Sequence, residues 1–101
     1  MSSEREKLYE TVHTSDNITL NDNQYLPNFY IITPSSNKTV DLPANPIAGQ
    51  FFRIRNLNNS FEVQIREPGP TVITNIGGAN GPGLTQADCY YDGSEWNIIQ
   101  Y

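Results

Sequence analysis

The last fifteen residues, ADCYYDGSEWNIIQY at positions 87–101, decide the fold class that the sequence predicts. They contain two runs rich in aromatic and β-branched residues, and Asp92 and Gly93 stand between the runs. Aspartate and glycine tolerate the positive φ angles that a tight two-residue turn requires. The segment is therefore predicted to form a β-hairpin.

Both faces of this predicted hairpin carry large apolar side chains. Because side chains alternate along a strand, Trp96 and Ile98 share one face, whereas Ile99 and Tyr101 share the other. A strand of a solvated sandwich is usually apolar on one face only. We therefore expect the second face to be buried against further copies of the chain.

Upstream of the hairpin, short strand patterns alternate with turn residues. Val63 and Ile65 alternate with polar residues, and in the segment 50–57 Phe52 and Ile54 point away from Phe51. Further strands are predicted at residues 11–14, 18–20, 29–33, 39–42 and 71–73. Spacings of roughly 8–12 residues between strands favour an all-β fold, a small β-sandwich or jelly-roll-like domain. No internal sequence repeat of roughly 20–50 residues is detectable.

Composition limits the classes of protein to which the chain can belong. Its 101 residues predict one domain, here residues 15–101, preceded by an arm at 1–14. The net charge of -5 disfavours nucleic-acid binding, since phosphate contacts need clustered Lys and Arg. One cysteine excludes an internal disulfide framework. Neither an apolar run long enough to span a membrane nor a signal peptide is visible.

The N-terminal arm has two interpretations. Ser3 and Glu6 match a capping box, which predicts a short helical turn ending near Glu10. Such a turn is too poor in apolar residues to be stable alone, so the arm is expected to order on a partner. The partner-binding residues predicted for it are Leu8, Tyr9 and Val12. The alternative is an inert N-terminus or a first strand of the sheet.

The inventory of reactive side chains disfavours catalysis. His13 is the only histidine and Cys89 the only cysteine, so one chain cannot assemble a typical zinc site. We predict no catalytic residue, no metal and no cofactor. Three weaker hypotheses assign a catalytic or ligand-binding role to other residues. They are a glycosidase carboxylate pair (from Glu62, Glu67, Asp88, Asp92 and Glu95), calcium ligation (near Asp16 and Asp22) and sugar stacking (by Tyr25, Tyr90, Tyr91 or Trp96).

Two further features have simple explanations. Trp96 is interpreted mainly as a core anchor, because Ile98 shares its face. The tripeptides NIT at 17–19 and NKT at 37–39 match the glycosylation acceptor pattern. Since no secretion signal is visible, we interpret these matches as chance in an asparagine-rich chain.

One order of motifs does resemble a known family. VDLP at 40–43 is followed by Gly49, then IRN at 54–56, and the chain ends with YDGSEW at 91–96 and its hairpin. This order resembles the small trimeric β domains of tailed-bacteriophage fibres, spikes and capsid appendages. The resemblance covers residues 39–101 and rests on degenerate structural positions, so it implies architecture more than activity.

The resemblance and the two apolar faces together lead to a functional hypothesis. We expect a non-enzymatic virion protein, a homotrimer attached to the capsid as decoration or a head fibre and assembled in the host cytoplasm. Its partners would be itself and the major capsid protein or another virion protein, without nucleic acid or membrane. The predicted trimer contacts are Phe51, Ile99 and Tyr101. The alternative is a receptor- or glycan-binding module of a tail-fibre tip.

Overall fold

The computed structural model of this chain describes residues 8–78 and 85–101, and in them it forms nine strands and no α-helix. The strands are β1 Thr11–Thr14, β2 Ile18–Thr19, β3 Phe29–Ile32, β4 Lys38–Asp41, β5 Phe51–Asn56, β6 Glu62–Glu67, β7 Thr71–Gly77, β8 Gln86–Tyr91 and β9 Trp96–Gln100. The prediction of an all-β fold is confirmed. The capping-box residues Ser3 and Glu6 lie outside the described residues, and Leu8 to Glu10 is not helical.

The strands form two sheets between which the chain alternates. One sheet has five strands in the order β1-β3-β5-β8-β9, and the other has four in the order β2-β4-β6-β7. From β1 to β6 the chain changes sheet after every strand, and all pairs among these strands are parallel. The last three strands pair antiparallel with their neighbours.

This winding makes three stacked coils, each with one strand in each sheet. Thr11 pairs with Phe29, 18 residues later, and Phe29 pairs with Arg53, 24 residues later. In the other sheet Ile18 pairs with Val40 and Val40 with Ile65. A jelly roll is built from antiparallel strands. The six parallel-paired strands therefore give the predicted two-sheet fold a different topology, that of a short flattened solenoid closed by antiparallel strands.

Amide side chains connect one coil to the next at the corners. Asn17, directly before β2, accepts a hydrogen bond through Oδ1 from the N–H of Thr39 at 3.0 Å. Asn37, directly before β4, accepts in the same way from the N–H of Glu62 at 3.0 Å. A backbone N–H at a corner has no strand partner there, so these amides satisfy groups that the winding leaves unpaired.

The space between the sheets is filled by the alternate apolar residues of the strands. Among the described residues, Ile32, Val40, Phe52, Ile54, Val63, Ile65, Ile76, Ala87 and Cys89 have no exposed surface. Trp96 and Ile98 of β9 pack against this core while remaining partly exposed. The ring centroid of Trp96 lies 6.1 Å from that of Phe52, which agrees with its interpretation as a core anchor.

The terminal hairpin is present, but its turn is longer than predicted. Residues 92–95 form a four-residue loop between β8 and β9 rather than the two-residue turn expected from Asp92 and Gly93. Gly93 adopts a φ of 102°, as the sequence suggested. The carboxylate of Asp92 accepts hydrogen bonds from the N–H groups of Ser94 and Glu95 at 2.8 and 2.9 Å. These bonds stabilise the wider loop.

The boundary of the predicted N-terminal arm changes. Thr11–Thr14 is strand β1, paired in parallel with β3 along its whole length. Val12 on this strand is partly buried against the core, and its predicted contact with a partner stays a prediction. The part of the predicted arm that the structure describes outside the sheet is therefore Leu8 to Glu10.

Gly77, at the end of β7, is required by both its backbone angle and its surroundings. Its φ is 78°, in the left-handed region, and a Cβ there would collide with the Asn56 amide. That amide Nδ2 donates to the carbonyls of Phe61 at 2.8 Å and Ile76 at 3.0 Å. Gly49 has a similar φ of 95°, but a Cβ there would meet open space.

Gly77→Ala is therefore expected to lower the free energy of unfolding by about 2–5 kcal/mol. Backbone strain accounts for about 1–2 kcal/mol of this loss. The rest comes from displacement of the Asn56 amide, which leaves two carbonyls without their hydrogen bonds. Gly49→Ala is the matched control and should be destabilised only by the backbone strain. Urea denaturation of the two variants measures the difference, and equal losses would contradict the role given to Asn56.

Candidate functional site: the outer face of the five-stranded sheet

The side of the five-stranded sheet that points away from the core is the candidate functional surface, called here the outer face. Its residues lie on all five strands and at the C-terminus. They are Thr11, His13, Phe29, Ile31, Phe51, Arg53, Arg55, Gln86, Asp88, Tyr90, Asn97, Ile99 and Tyr101.

The outer face exists because strand alternation sends every second side chain away from the core. On the central strand β5, Phe52 and Ile54 are fully buried, whereas the residues between them point outward. Neighbouring strands in register add their own outward residues. The exposed fraction is 65% for Ile99, 49% for Tyr101 and 46% for Tyr90. Large apolar groups that remain this exposed indicate a surface for contact with another molecule.

Aromatic rings form a cluster at one end of the outer face. The ring of Tyr9, just before β1, stacks on Phe29 with centroids 4.9 Å apart and an interplanar angle of 13°. Phe29 meets Phe51 edge-on at 6.4 Å. The Arg53 guanidinium lies 5.1 Å from the centroid of Phe29 and 5.8 Å from that of Phe51. Cation–π attraction therefore adds to the apolar contacts of the cluster.

An ion pair in the centre of the face fixes the position of Arg53. Its Nε and one terminal nitrogen donate to the two carboxylate oxygens of Asp88 at 2.8 and 3.0 Å, and the hydroxyl of Tyr101 donates to the same carboxylate at 2.8 Å. Partial burial raises the pKa of Asp88, but the bonds from Arg53 and Tyr101 outweigh it and hold this pKa below its usual value. The same bond to Asp88 raises the pKa of Tyr101.

The structure brings together the three residues that were predicted as trimer contacts. Phe51, Ile99 and Tyr101 all belong to the outer face, although their contact with another copy stays a prediction. Of the predicted arm residues, Leu8 is 89% exposed, and Tyr9 joins the face through its stacking on Phe29.

The sequence did not reveal the network formed by Arg53, Asp88 and Phe29. Arg53 and Asp88 lie 35 residues apart and meet because β5 pairs with β8. Opposite charges on two predicted strands were the available signal. That signal is weak, because strand order and register were unknown.

The reactive residues are placed as follows. Cys89 is buried on the inner face of β8, and burial raises the pKa of its thiol to about 12. His13 is exposed on the edge strand β1. The carboxylate of Asp22, a residue of the hypothetical calcium site, accepts hydrogen bonds from the backbone N–H and the side-chain amide of Asn45 at 2.8 and 3.2 Å.

The residues of the sugar-stacking hypothesis do not lie on one surface. Trp96 and Tyr91 pack together with centroids 5.2 Å apart, and Trp96 contacts the core. Tyr90 belongs to the outer face. Tyr25, 71% exposed, lies in the loop between β2 and β3.

A cavity of about 750 Å³ lies where β1, β3 and β5 begin. Three amide residues, Gln24, Asn28 and Gln50, line it together with Leu8, Tyr25 and Phe51. The amides are held rigidly; for example, Gln50 Nε2 donates to the carbonyls of Asn21 and Gln24 at 3.4 and 3.1 Å. The residues that line it include no charged side chain, so its walls are neutral, polar and aromatic.

Comparisons and searches for known types of site add the following. The chain matches no protein-family model, no curated protein and no solved structure. Within residues 8–78 and 85–101, no group of three or more His, Cys, Asp or Glu side chains is placed to hold a metal ion. A search of those residues for a helix of sufficient length and apolarity to cross a membrane found none.

The lowered pKa of Asp88 makes the ion pair testable by pH. A carboxyl with a lowered pKa in the folded state stabilises the protein above its ordinary value of 3.8, and this contribution disappears as the pH falls through the folded value. Asp88→Asn should therefore be less stable than the parent at neutral pH. The difference should shrink as the pH is lowered from about 4 to about 2.

Urea midpoints of parent and variant across this pH range measure the effect. Asp16→Asn is the control, because the exposed Asp16 carboxylate accepts no hydrogen bond from the described residues. The control variant should follow the parent throughout. A difference between Asp88→Asn and the parent that stays constant down to pH ~2 would show that the carboxylate charge does not stabilise the fold.

Proposed function

We propose that this chain is a non-enzymatic structural protein of a tailed-bacteriophage virion, a homotrimer that attaches to the capsid as decoration. The observation that carries the proposal is the aromatic and aliphatic outer face of the five-stranded sheet. Ile99 and Tyr101 at one side and Phe29 and Phe51 at the other give the face two apolar regions beside the central Arg53–Asp88 pair. A closed ring of copies removes such a surface from water.

The distribution of charge supports a ring rather than a face-to-face pair. The outer face holds two of the six Lys and Arg residues, Arg53 and Arg55, and one of the eleven Asp and Glu residues, Asp88. It therefore carries +1 while the rest of the chain carries -6, with histidine neutral. Two outer faces in contact would oppose like charges, whereas contact with another surface of the next copy would oppose unlike charges.

The assignment to a phage virion rests on the motif order of the family resemblance. In the structure, the VDLP motif at 40–43 ends β4, IRN at 54–56 ends β5, and YDGSEW at 91–96 makes the final hairpin loop. Val40 and Ile54, from the first two motifs, are fully buried in the core. Residues at such positions hold the core together, and the family resemblance itself stays a prediction.

Attachment to the capsid is proposed for the residues that precede β1. Leu8 offers an 89% exposed apolar side chain there. Three such segments on one trimer would bind together, so weak single contacts would give firm attachment. A non-enzymatic role agrees with the state of Cys89, because a buried thiol with a pKa of about 12 is not a nucleophile at neutral pH.

Sedimentation velocity tests the trimer. The parent should sediment with three times the chain mass of 11.4 kDa. Ile99→Asp places a charge on the 65% exposed isoleucine of the outer face and should produce monomers. Val72→Asp introduces the same charge at a residue that is 43% exposed on the four-stranded sheet, so formation of monomers by this variant as well would place the second contact surface on that sheet. A monomeric parent, or an Ile99→Asp variant that still forms trimers, would contradict the proposal.

The cavity beside β1, β3 and β5 favours a second candidate function, binding of a neutral host-surface glycan by a fibre tip. Its volume of about 750 Å³ is within the usual range for small-molecule sites. Tyr25 offers a ring for stacking on a sugar, and the cavity walls are neutral, as an uncharged saccharide requires.

Tyr25→Ala tests this candidate on a glycan array with fluorescently labelled protein. If the cavity binds sugar, the parent should bind neutral glycans and Tyr25→Ala should lose that binding while keeping the melting curve of the parent. Leu57→Ala is the control, since Leu57 is exposed and lies at the opposite end of β5 from the cavity. Absence of binding by the parent would remove this candidate and leave the structural proposal intact.

A further inference from the structure

Arg55 is the one outer-face charge that its own chain leaves without a partner in the described structure. It is exposed on β5, the central strand of the five-stranded sheet, and its register neighbours are Ile31 on β3 and Gln86 on β8. Arg53, two residues earlier on the same face, pairs with Asp88. No described residue forms a hydrogen bond or ion pair with the Arg55 side chain.

If the outer face is buried between copies, the Arg55 guanidinium is buried with it. A charge in an interface is unfavourable unless an opposite charge or hydrogen-bond acceptors meet it there. Asp88, the other charged residue of the face besides Arg53, already holds Arg53 through both carboxylate oxygens. An acceptor on the adjoining copy would satisfy Arg55 in such an interface.

The surface beside Arg55 has room for such a group. A cavity of about 200 Å³ lies there, and its lining residues include Phe29, Ile31, Arg53, Arg55 and Gln86. The lining combines an apolar floor with two guanidinium groups, so a carboxylate side chain of the next copy can enter with its stem on Ile31. Arginine binds carboxylates in a bidentate geometry that also fixes orientation.

We propose that Arg55 binds a carboxylate of the neighbouring copy and that this ion pair sets the register of the trimer. The inference rests on the proposed function, because it requires the outer face to be an interface. The acidic excess on the rest of the chain supplies the carboxylate. In a cyclic arrangement this carboxylate belongs to a surface other than the outer face. Each copy therefore contributes its Arg55 to one ion pair and a carboxylate to another.

Charge variants of Arg55 test the pair by sedimentation equilibrium. Arg55→Lys keeps the charge but loses the bidentate geometry, so it should assemble more weakly than the parent and more strongly than Arg55→Gln. Arg55→Gln leaves the partner carboxylate unpaired, and assembly should weaken by about 30-fold or more; Arg55→Glu adds repulsion and should weaken it further. Lys38→Glu makes the same change of net charge away from the outer face, so it measures the effect of net charge alone, and the weakening by Arg55→Glu should exceed it.

Cross-linking identifies the partner group directly. Arg55→Lys places an amine at position 55, which a carbodiimide couples to a carboxylate in direct contact. Mass spectrometry of a mixture of ¹⁵N-labelled and unlabelled protein should show position 55 joined to an Asp or Glu of a different copy. The parent, with arginine there, should give no product at this position.

The outcomes separate this inference from the proposed function. A parent trimer that Arg55→Glu does not weaken, or a trimer without an inter-copy product at position 55, would overturn the ion pair and leave the trimer standing. A parent that remains monomeric at all concentrations would overturn both.

Discussion

Hydrogen bonds from amide side chains between successive coils are the interaction on which the rest of this fold depends. Asn17 and Asn37 each stand directly before a strand of the four-stranded sheet and accept from a backbone N–H of the following coil. Asn28, directly before β3, makes the reverse connection, because its Oδ1 accepts from the N–H of Glu10 in the preceding coil at 3.1 Å. Parallel strands cannot be joined by tight hairpins, so each coil needs corners. Without these amides the corners would leave backbone groups unpaired.

The stacked corners determine which side chains are buried and which are left outside. Thr11, Phe29 and Arg53 are aligned across three coils and point outward. Because side chains alternate along a strand, the next residue on each of these strands points toward the core. The four-stranded sheet covers the centre of this inner side, as the fully buried Phe52 and Ile54 show, and leaves Trp96 and Ile98 of the edge strand β9 partly exposed. Nothing in the described chain covers the other side, where the aromatic outer face lies. The same alternation that builds the core therefore also creates the surface proposed for assembly.

Local features of this fold could be predicted from the sequence, whereas its pairing could not. The alternation around Phe52 and Ile54 and the glycine at position 93 placed strands and a loop correctly, because both signals are local. Parallel pairing between coils leaves no local signal, and coil lengths of 18 to 25 residues hide the repeat. The similar tripeptides NIT and NKT, which begin with Asn17 and Asn37, were a weak sign of this coil repeat, although their match to the glycosylation pattern is interpreted as chance. Their recurrence before two successive strands of one sheet reflects the corner hydrogen bonds.

The polar network in the centre of the outer face disfavours non-specific association with other apolar surfaces. A purely apolar sheet face binds other apolar surfaces in many registers. The Arg53–Asp88 pair with the Tyr101 hydroxyl keeps charged and polar groups in the middle of the face, at low cost because they satisfy one another. Any partner must match these groups as well as the rings of Phe29 and Phe51, which disfavours most alternative contacts. Arg55 acts differently, because its unpaired guanidinium makes burial unfavourable unless an acceptor arrives in the correct position. The mutually bonded groups of Arg53, Asp88 and Tyr101 thus disfavour contacts that do not match them. The unpaired Arg55 favours a contact that supplies an acceptor.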